Sequence, residues 1–178
     1  MFVLRKAFSE KDREKGFIEA LNTPEGMNIR NITATGWNET AAPYIEIAFS
    51  FDYALETKGG VVSFNPLLTP LFTVNQIEED RIFPVDMDYP RYYQQLVTIG
   101  LKDDIRLQAP LSPERLLLEQ ANSPVTEYQF STGDETIQLS LTTSIPKAFY
   151  QDYTGKYIGD FLNSLIELNK QEIGFTTR

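Results

Sequence analysis

The residues of this sequence that could do chemistry are carboxylates, hydroxyls and lysines, since the chain contains no Cys and no His. Asp86 and Asp88 stand two positions apart between prolines, and on an extended strand that spacing puts both carboxylates on one face. Paired carboxylates can bind calcium or divide the acid and base roles of a glycosidase, and Asp103 and Asp104 could supply further ligands. No calcium-loop pattern surrounds these acids, so we interpret Asp86 as a partner of Arg81 or as the cap of a turn.

Ser144 and Lys147 have the Ser-x-x-Lys spacing of a serine nucleophile and its base. In enzymes that use this pair, the serine begins a buried helix. Here Pro146 lies between the two residues and indicates the end of a strand. We therefore interpret the match as a coincidence of a short pattern.

The aromatic residues near position 90 could form a platform for a sugar or a peptide. Tyr92 and Tyr93 are adjacent in a predicted strand and must point to opposite faces, so at most one of them can share a platform with Tyr89. Trp37 is the remaining candidate. Aromatic side chains also fill sandwich cores and cross-strand pairs, and the pattern favours that interpretation.

The absence of Cys and His excludes whole classes of chemistry. It removes disulfides, thiolate nucleophiles, the usual zinc ligands, the commonest general base and the triads built on it. We therefore expect a protein that is not an enzyme, with no catalytic, cofactor-binding or metal-binding residue. A hydrolase that uses carboxylates alone is the catalytic alternative.

The net charge of the chain bears on which partners it can bind. The chain has 16 Lys and Arg against 25 Asp and Glu, a formal charge of -9, and nucleic acid binding needs clustered cations. No apolar run reaches the roughly 18 residues of a membrane span, and the stretch from Met1 to Lys6 lacks the apolar core of a secretory signal. We expect neither a nucleic acid partner nor a transmembrane segment. A cytoplasmic chain and the mature part of an exported one both fit.

Strands must position most of these residues. In the segment 44–55, every odd position from Ile45 to Leu55 is apolar, whereas Glu46, Ser50 and Asp52 occupy even positions. That period of two predicts a half-buried antiparallel strand. We expect it to be a central strand, covered by the hairpin face at 137–141 or by the C-terminal helix.

The remaining pattern predicts a mostly β chain, an antiparallel β-sandwich (Ig-like or related), with a helix near each end. The first helix begins after Ser9 and ends before Pro24, and a second, longer one runs from Tyr157 to Leu168 with one broad apolar stripe. Between them, short alternating segments recur at hairpin spacing, the clearest at 125–142 around Gly133. The apolar, proline-broken segment 65–72 predicts a covering loop, an edge segment or a contact surface for a neighbour.

The order of several short patterns resembles a bacterial family: the C-terminal domain of unknown function that follows the transglutaminase-like core in large, exported proteins. The patterns are Arg81-Ile82-Phe83-Pro84-Val85-Asp86-Met87-Asp88-Tyr89-Pro90, then Tyr92-Tyr93, Leu107-Gln108-Ala109-Pro110, Gly133, Ile145-Pro146 and Tyr157. Two segments depart from the family, Gly100 to Ile105 and the C-terminal stretch from Ile173. The family's Cys-His-Asp machinery belongs to the preceding core, so no catalytic residue is carried over to this chain.

The resemblance implies the following organisation and function. Residues 1–26 are a linker helix from a preceding domain, and residues 27–178 are the β-sandwich domain with its C-terminal helix. The function is that of a non-catalytic accessory domain whose partner is the neighbouring transglutaminase-like domain, and which recognises a substrate or partner. The location would be periplasmic or extracellular. The alternative is a stand-alone module that binds a glycan or protein through the tyrosine-rich strand or an exposed edge.

Overall fold

The computed structural model describes residues 19, 21, 26–35, 46–53, 60–75, 77, 84–88, 90–102, 104–108, 114–117, 123–133, 135–151 and 155–177. The chain divides into two compact units, Met1–Glu56 and Thr57–Arg178. The described elements, in chain order, are β1 (Met27–Thr35), β2 (Glu46–Tyr53), β3 (Val61–Phe64), β4 (Val85–Asp86), β5 (Arg91–Gly100), β6 (Ile105–Leu107), β7 (Glu114–Leu117), β8 (Val125–Thr132), β9 (Thr136–Ile145), β10 (Phe149–Tyr150), α1 (Gly155–Leu168) and β11 (Ile173–Thr177).

The first unit contains an antiparallel ribbon of β1 and β2. The register shifts between Arg30 and Thr33, and Asn31 in this bulge has a φ of 53°. Asn31 Nδ2 donates to Ser50 Oγ at 2.9 Å, which fastens the bulge to β2. The alternation predicted for β2 is confirmed, but the central position is wrong: among the described strands β2 pairs only with β1. Period-two alternation fixes which face is apolar and leaves the neighbours of a strand undetermined.

The second unit is built on a four-stranded antiparallel sheet in the order β5-β9-β8-β7. β5 and β9 pair without a register shift over ten residues, from Arg91 opposite Ile145 to Gly100 opposite Thr136. The predicted β8–β9 hairpin is confirmed, and Gly133 N donates to Thr136 O at 2.8 Å across its turn.

One face of this sheet, the inner face, is a core surface. It carries the alternate residues of β9 and β8 that are buried, including Ile137, Leu139, Leu141 and Tyr128. Two buried hydroxyls satisfy each other there, Thr126 Oγ1 and Thr143 Oγ1 at 2.9 Å. A buried hydroxyl without such a partner would cost about 1–3 kcal/mol, so this polar pair fits an otherwise apolar layer.

A three-stranded sheet in the order β3-β11-β6 forms a second layer element. Its buried side chains include Phe64, Ile173 and Phe175, and the rings of Phe64 and Phe175 stack with centroids 5.7 Å apart. The last strand, β11, is absent from the sequence interpretation. Because β11 pairs with β3, more than a hundred residues earlier, no local hairpin pattern predicts it.

Helix α1 packs on the inner side of the second unit. Its residues Ile158, Phe161, Leu162 and Leu165 join one buried cluster with the end of β9 at Ile145 and with the short β4–β10 pair. The helix and its apolar stripe are confirmed, with one correction: Tyr157 is 53% exposed. Tyr157 lies in the first turn of the helix, and the buried cluster begins one residue later, at Ile158.

The segment 65–75 is a covering loop fastened by asparagines. Pro66, Leu67 and Leu68 are buried, and Asn65 Oδ1 accepts a hydrogen bond from Leu67 N at 2.8 Å. Asn75 Nδ2 donates to Gly159 O at 3.0 Å on α1. The loop therefore closes the interior of the second unit, which is the covering role predicted from its prolines.

The predicted fold class is confirmed at the level of a mostly β, antiparallel, sandwich-like chain with a C-terminal helix. The finer Ig-like assignment and the boundary between residues 26 and 27 stay predictions. The predicted first helix falls outside the described residues, except that Glu19 is helical and Leu21 is buried.

Candidate functional site

The candidate site is the outer face of the four-stranded sheet, the face opposite the core. Residues of β5, β9 and β8 form most of it, and they share one side because directly opposite residues of an antiparallel pair do so. They are Tyr92, Gln94, Leu96 and Thr98 of β5, Gln138, Ser140, Thr142 and Ser144 of β9, and Val125, Glu127, Gln129 and Ser131 of β8.

Two large apolar side chains stand on this face. Tyr92 and Leu96 are each 70% exposed, four residues apart on β5. Tyr92 lies opposite Ser144 and Leu96 lies opposite Ser140, so hydroxyl-bearing residues flank both. The arrangement offers an apolar contact surface within reach of hydrogen-bonding groups, which is the usual composition of a recognition surface.

The outer face is almost free of charge, although the chain as a whole is acidic. Of its residues on β5, β8 and β9, Glu127 is the charged one and the others are amides, hydroxyls and apolar groups, while the register puts Arg115 of β7 opposite Glu127. The chain has a formal charge of -9 and is 23% charged residues. A near-neutral face therefore offers hydrogen bonds and stacking and does little to attract an ion.

Strand β5 is anchored from its inner side by a polar cluster under the segment 65–72. The Tyr93 hydroxyl lies 2.6 Å from Thr69 Oγ1 and 2.7 Å from Gln95 Oε1, and it also donates to Thr69 O. Thr69 Oγ1 donates to Gln95 Oε1 at 2.8 Å, and Gln95 Nε2 donates to Pro66 O at 3.4 Å. Burial raises the pKa of Tyr93 to about 12, despite the opposing hydrogen bond to Thr69. The tyrosine therefore stays neutral under ordinary conditions.

The base of β5 carries a further anchor. The guanidinium of Arg91 lies over the ring of Phe72, 5.4 Å from its centroid, and its Nη2 donates to Met87 O at 3.3 Å. Asp88 Oδ2 lies 4.0 Å from Arg91 Nη2. Strand β5 begins at Arg91, directly after Pro90. Through these contacts the side chain of Arg91 fixes the turn that precedes the strand.

The paired aspartates form a turn. Asp86 Oδ1 accepts a hydrogen bond from Asp88 N at 2.8 Å, so the interpretation of Asp86 as a turn cap is confirmed. The geometry assumed for a shared strand face is wrong, because β4 ends at Asp86 and Asp88 has a φ of 64°. An aspartate tolerates this left-handed conformation better than most residues. Arg81 lies outside the described residues.

The other sequence candidates are dispersed. Ser144 lies within β9 on the outer face, and Lys147 is exposed after the strand has ended, so neither begins a helix. Tyr92 and Tyr93 do point to opposite faces, as predicted. Tyr89, Trp37 and Asp103 lie outside the described residues, whereas Asp104 is exposed beside β6.

In the described ranges, no group of three or more Asp, Glu, His or Cys side chains could hold a metal ion. Among the helical residues that the structure describes, no helix is long and apolar enough to cross a membrane.

Sequence reasoning missed the outer face as a unit. The sequence predicts at most a platform of Tyr92 with Tyr89, but the outer-face residues of β8 and β9 lie 33 or more residues after Tyr92. The signal that could have found the face is the run of Gln, Ser and Thr at alternate positions of β9. The same alternation that marks the apolar side of a strand marks this polar side.

The fold and the outer face define a class, a mostly β domain with a polar, nearly uncharged sheet surface and a helix-covered core. The chain matches no family model, no curated protein and no solved structure at a significant level.

Proposed function

We propose that this protein is a non-catalytic recognition domain that binds a neutral, hydroxyl-rich polymer chain, a glycan, on the outer face of its four-stranded sheet. The observation that carries the proposal is the exposed pair Tyr92 and Leu96, set among amide and hydroxyl side chains on a nearly uncharged surface of an acidic chain. A sugar ring presents an apolar face for stacking and hydroxyls at its rim, which is the complement of such a surface.

Charge separates this ligand from the others. An acidic chain repels polyanions, which argues against nucleic acid and acidic polysaccharides. A basic peptide would need several carboxylates, and among the outer-face residues of β5, β8 and β9 Glu127 has the one carboxylate. A neutral glycan requires neither sign, and its hydroxyls can exchange hydrogen bonds with Gln and Thr side chains such as Gln94 and Thr98.

The test is a titration of the full chain with soluble neutral polysaccharides. Calorimetry measures the affinity, and amide NMR shifts locate the binding surface. We expect weak binding, with shifted amides concentrated on β5, β8 and β9. Tyr92→Ala should weaken the affinity about tenfold or more, since an aromatic anchor contributes about 1–2 kcal/mol. Tyr157→Ala is the matched control, because Tyr157 is also an exposed tyrosine but lies on α1. Binding should be unchanged when salt is raised, because the face is near neutral.

Two outcomes would contradict the glycan proposal. One is the absence of binding to any neutral polysaccharide, with an uncharged Ser/Thr/Gln-rich peptide shifting the same amides. The other is glycan binding that Tyr92→Ala and Tyr157→Ala weaken equally.

We also propose, on the sequence resemblance alone, that a transglutaminase-like core is the partner of this domain in a parent bacterial protein that is exported. The recognition domain would then hold the polymer on which that neighbour acts. Supporting this are the ordered patterns from the segment 81–90 to Tyr157. The test is the coding sequence upstream of Met1: a core with Cys, His and Asp in catalytic order supports the pairing, and an unrelated upstream sequence removes it.

A further inference from the structure

We propose that the free edge of β5 is a self-association surface, on which β5 of a second copy of this chain adds as an antiparallel strand centred on Gln94. The proposal goes beyond ligand recognition and holds whether or not the outer face binds a glycan. It starts from topology: β5 is an edge strand of the four-stranded sheet, with β9 as its neighbour on one side and no described strand on the other.

The hydrogen-bonding pattern shows which groups that edge presents. Leu101 N donates to Glu135 O at 2.8 Å, and these two residues are directly opposite in the register that β5 and β9 keep without a shift. Opposite residues that exchange hydrogen bonds recur at every second position of an antiparallel pair. Odd-numbered residues of β5 therefore bond to β9. Tyr92, Gln94, Leu96 and Thr98 direct their N–H and C=O groups towards the free edge.

The edge lacks the devices that usually prevent strand addition. Natural edge strands are short, or carry Lys, Pro, inward-pointing charges or bulges. β5 is 10 residues long, has no bulge against β9, and from Tyr92 to Gly100 contains neither a proline nor a charged residue. In a chain with a formal charge of -9, it is a place where two copies can approach closely without facing carboxylates.

A two-fold axis at Gln94 makes the strand self-complementary. Gln94 then faces Gln94 of the second copy, and Tyr92 of each copy faces Leu96 of the other. Tyr92, Gln94 and Leu96 all direct their backbone N–H and C=O groups to the edge. Each of the three residue pairs, Gln94 with Gln94 and the two pairs of Tyr92 with Leu96, therefore exchanges two hydrogen bonds. The same register puts the two most exposed apolar side chains of β5 opposite each other as aromatic–aliphatic cross-strand pairs.

The ends of β5 agree with this register. Thr98 would face Pro90, which has no N–H to donate, so the ladder ends there. Just beyond the strand, Lys102 at one end approaches the turn that carries Asp88 of the second copy at the other, and both side chains are exposed. Opposite charges thus meet at both ends of the paired segment. The two four-stranded sheets become one sheet of eight strands.

The test measures self-association of the full chain by sedimentation at rising concentration. Because one strand pair is smaller than a standard interface, we expect a monomer–dimer equilibrium that populates dimer at about 0.1–0.5 mM. Gln94→Lys, which places two ammonium groups opposite each other, should weaken the dimer at least tenfold. Thr98→Lys adds the same charge to the same exposed face at the end of the ladder, opposite Pro90 and not opposite a second lysine, and should leave the dimer intact. Circular dichroism checks that both variants keep the fold.

Single cysteines test the register, since the chain has none of its own. Paired Gln94 residues would have Cα atoms about 5.5 Å apart, within the range of a disulfide, so Gln94→Cys should cross-link on mild oxidation. Two Leu96 residues would be offset by about 13 Å along the strands, so Leu96→Cys should cross-link poorly. A monomer at every concentration overturns the proposal, as does a dimer that Gln94→Lys leaves unchanged. Faster cross-linking at residue 96 overturns the register.

Discussion

Tyr93 shows how one side chain can serve the candidate site without belonging to it. Tyr92 beside it is exposed on the outer face, whereas Tyr93 anchors β5 to the segment 65–72 through Thr69 and Gln95. The sequence alone predicted that the two tyrosines oppose each other, because strand geometry requires it. It did not predict which one is buried, since that depends on a loop more than twenty residues earlier.

The raised pKa of Tyr93 gives a pH dependence with a definite sign. Its folded-state pKa is about 12 against an ordinary value of 10.0, because burial disfavours the phenolate. The folded state therefore keeps the proton longer than the unfolded state. Stability from this group is complete below pH 10.0 and is lost as the pH rises to about 12, by about 3 kcal/mol in all.

The effect of Tyr93→Phe on the free energy of unfolding should depend on pH. At pH 8 we expect it to lower the free energy of unfolding by about 1 kcal/mol, because the hydroxyl cluster is lost. Towards pH 12 the difference should shrink or change sign, because phenylalanine cannot ionise. Urea unfolding at a series of pH values measures this. Tyr92→Phe, which removes an exposed hydroxyl from the same strand, is the control. A Tyr93→Phe deficit that stays constant up to pH 12 would show that burial of the phenol does not matter.

At the scale of elements, the sequence predicted best what neighbours in the chain determine. The β8–β9 hairpin and the stripe of α1 follow from local periodicity. The pairing of β11 with β3 does not, and neither does the finding that β2 has β1 as its one neighbour among the described strands. They depend on which strand edges are free once the chain has collapsed, and periodicity carries no information on that. The outer face was missed for the same reason, because three strands must first be placed in register.

Gly159 offers a stabilising substitution in α1. A Cβ built there would lie 3.6 Å from Ile77 Cγ2 and 3.7 Å from Asn75 Nδ2, which are ordinary van der Waals distances. Alanine should therefore fit without displacing either neighbour. Since glycine in a helix interior costs about 1 kcal/mol relative to alanine, Gly159→Ala should raise the free energy of unfolding by about that amount in urea titrations.

Gly159→Leu provides the contrast at the same position. Its longer side chain must displace Ile77 and Asn75, and it should break the hydrogen bond from Asn75 Nδ2 to Gly159 O. We expect it to destabilise the protein by about 1–3 kcal/mol. If both substitutions were stabilising, Asn75 and Ile77 would pack against α1 more loosely than their distances from Gly159 indicate.

At the scale of the whole molecule, we expect the second unit to be stable by itself and the first unit to be an addition to it. Every described strand from β3 onward pairs within Thr57–Arg178, and β1 and β2 pair with each other. The second unit also holds the cluster of α1, β4, β9 and β10. An isolated pair of strands is marginally stable in water, whereas several strands that share a covered core can fold independently.

We therefore expect a chain that begins at Thr57 to fold on its own. It should keep the near-ultraviolet circular dichroism of its buried aromatic residues and unfold cooperatively, because each of its described strands retains its pairing partner. A chain that begins at Thr69 is the matched control. It lacks β3 together with the buried Pro66, Leu67 and Leu68, so β11 loses a neighbour and the inner face loses its cover. That shorter chain should lose cooperative unfolding. If the chain from Thr57 lost it too, the second unit would depend on residues 1–56 for its stability, and the outer face could be studied only in the full chain.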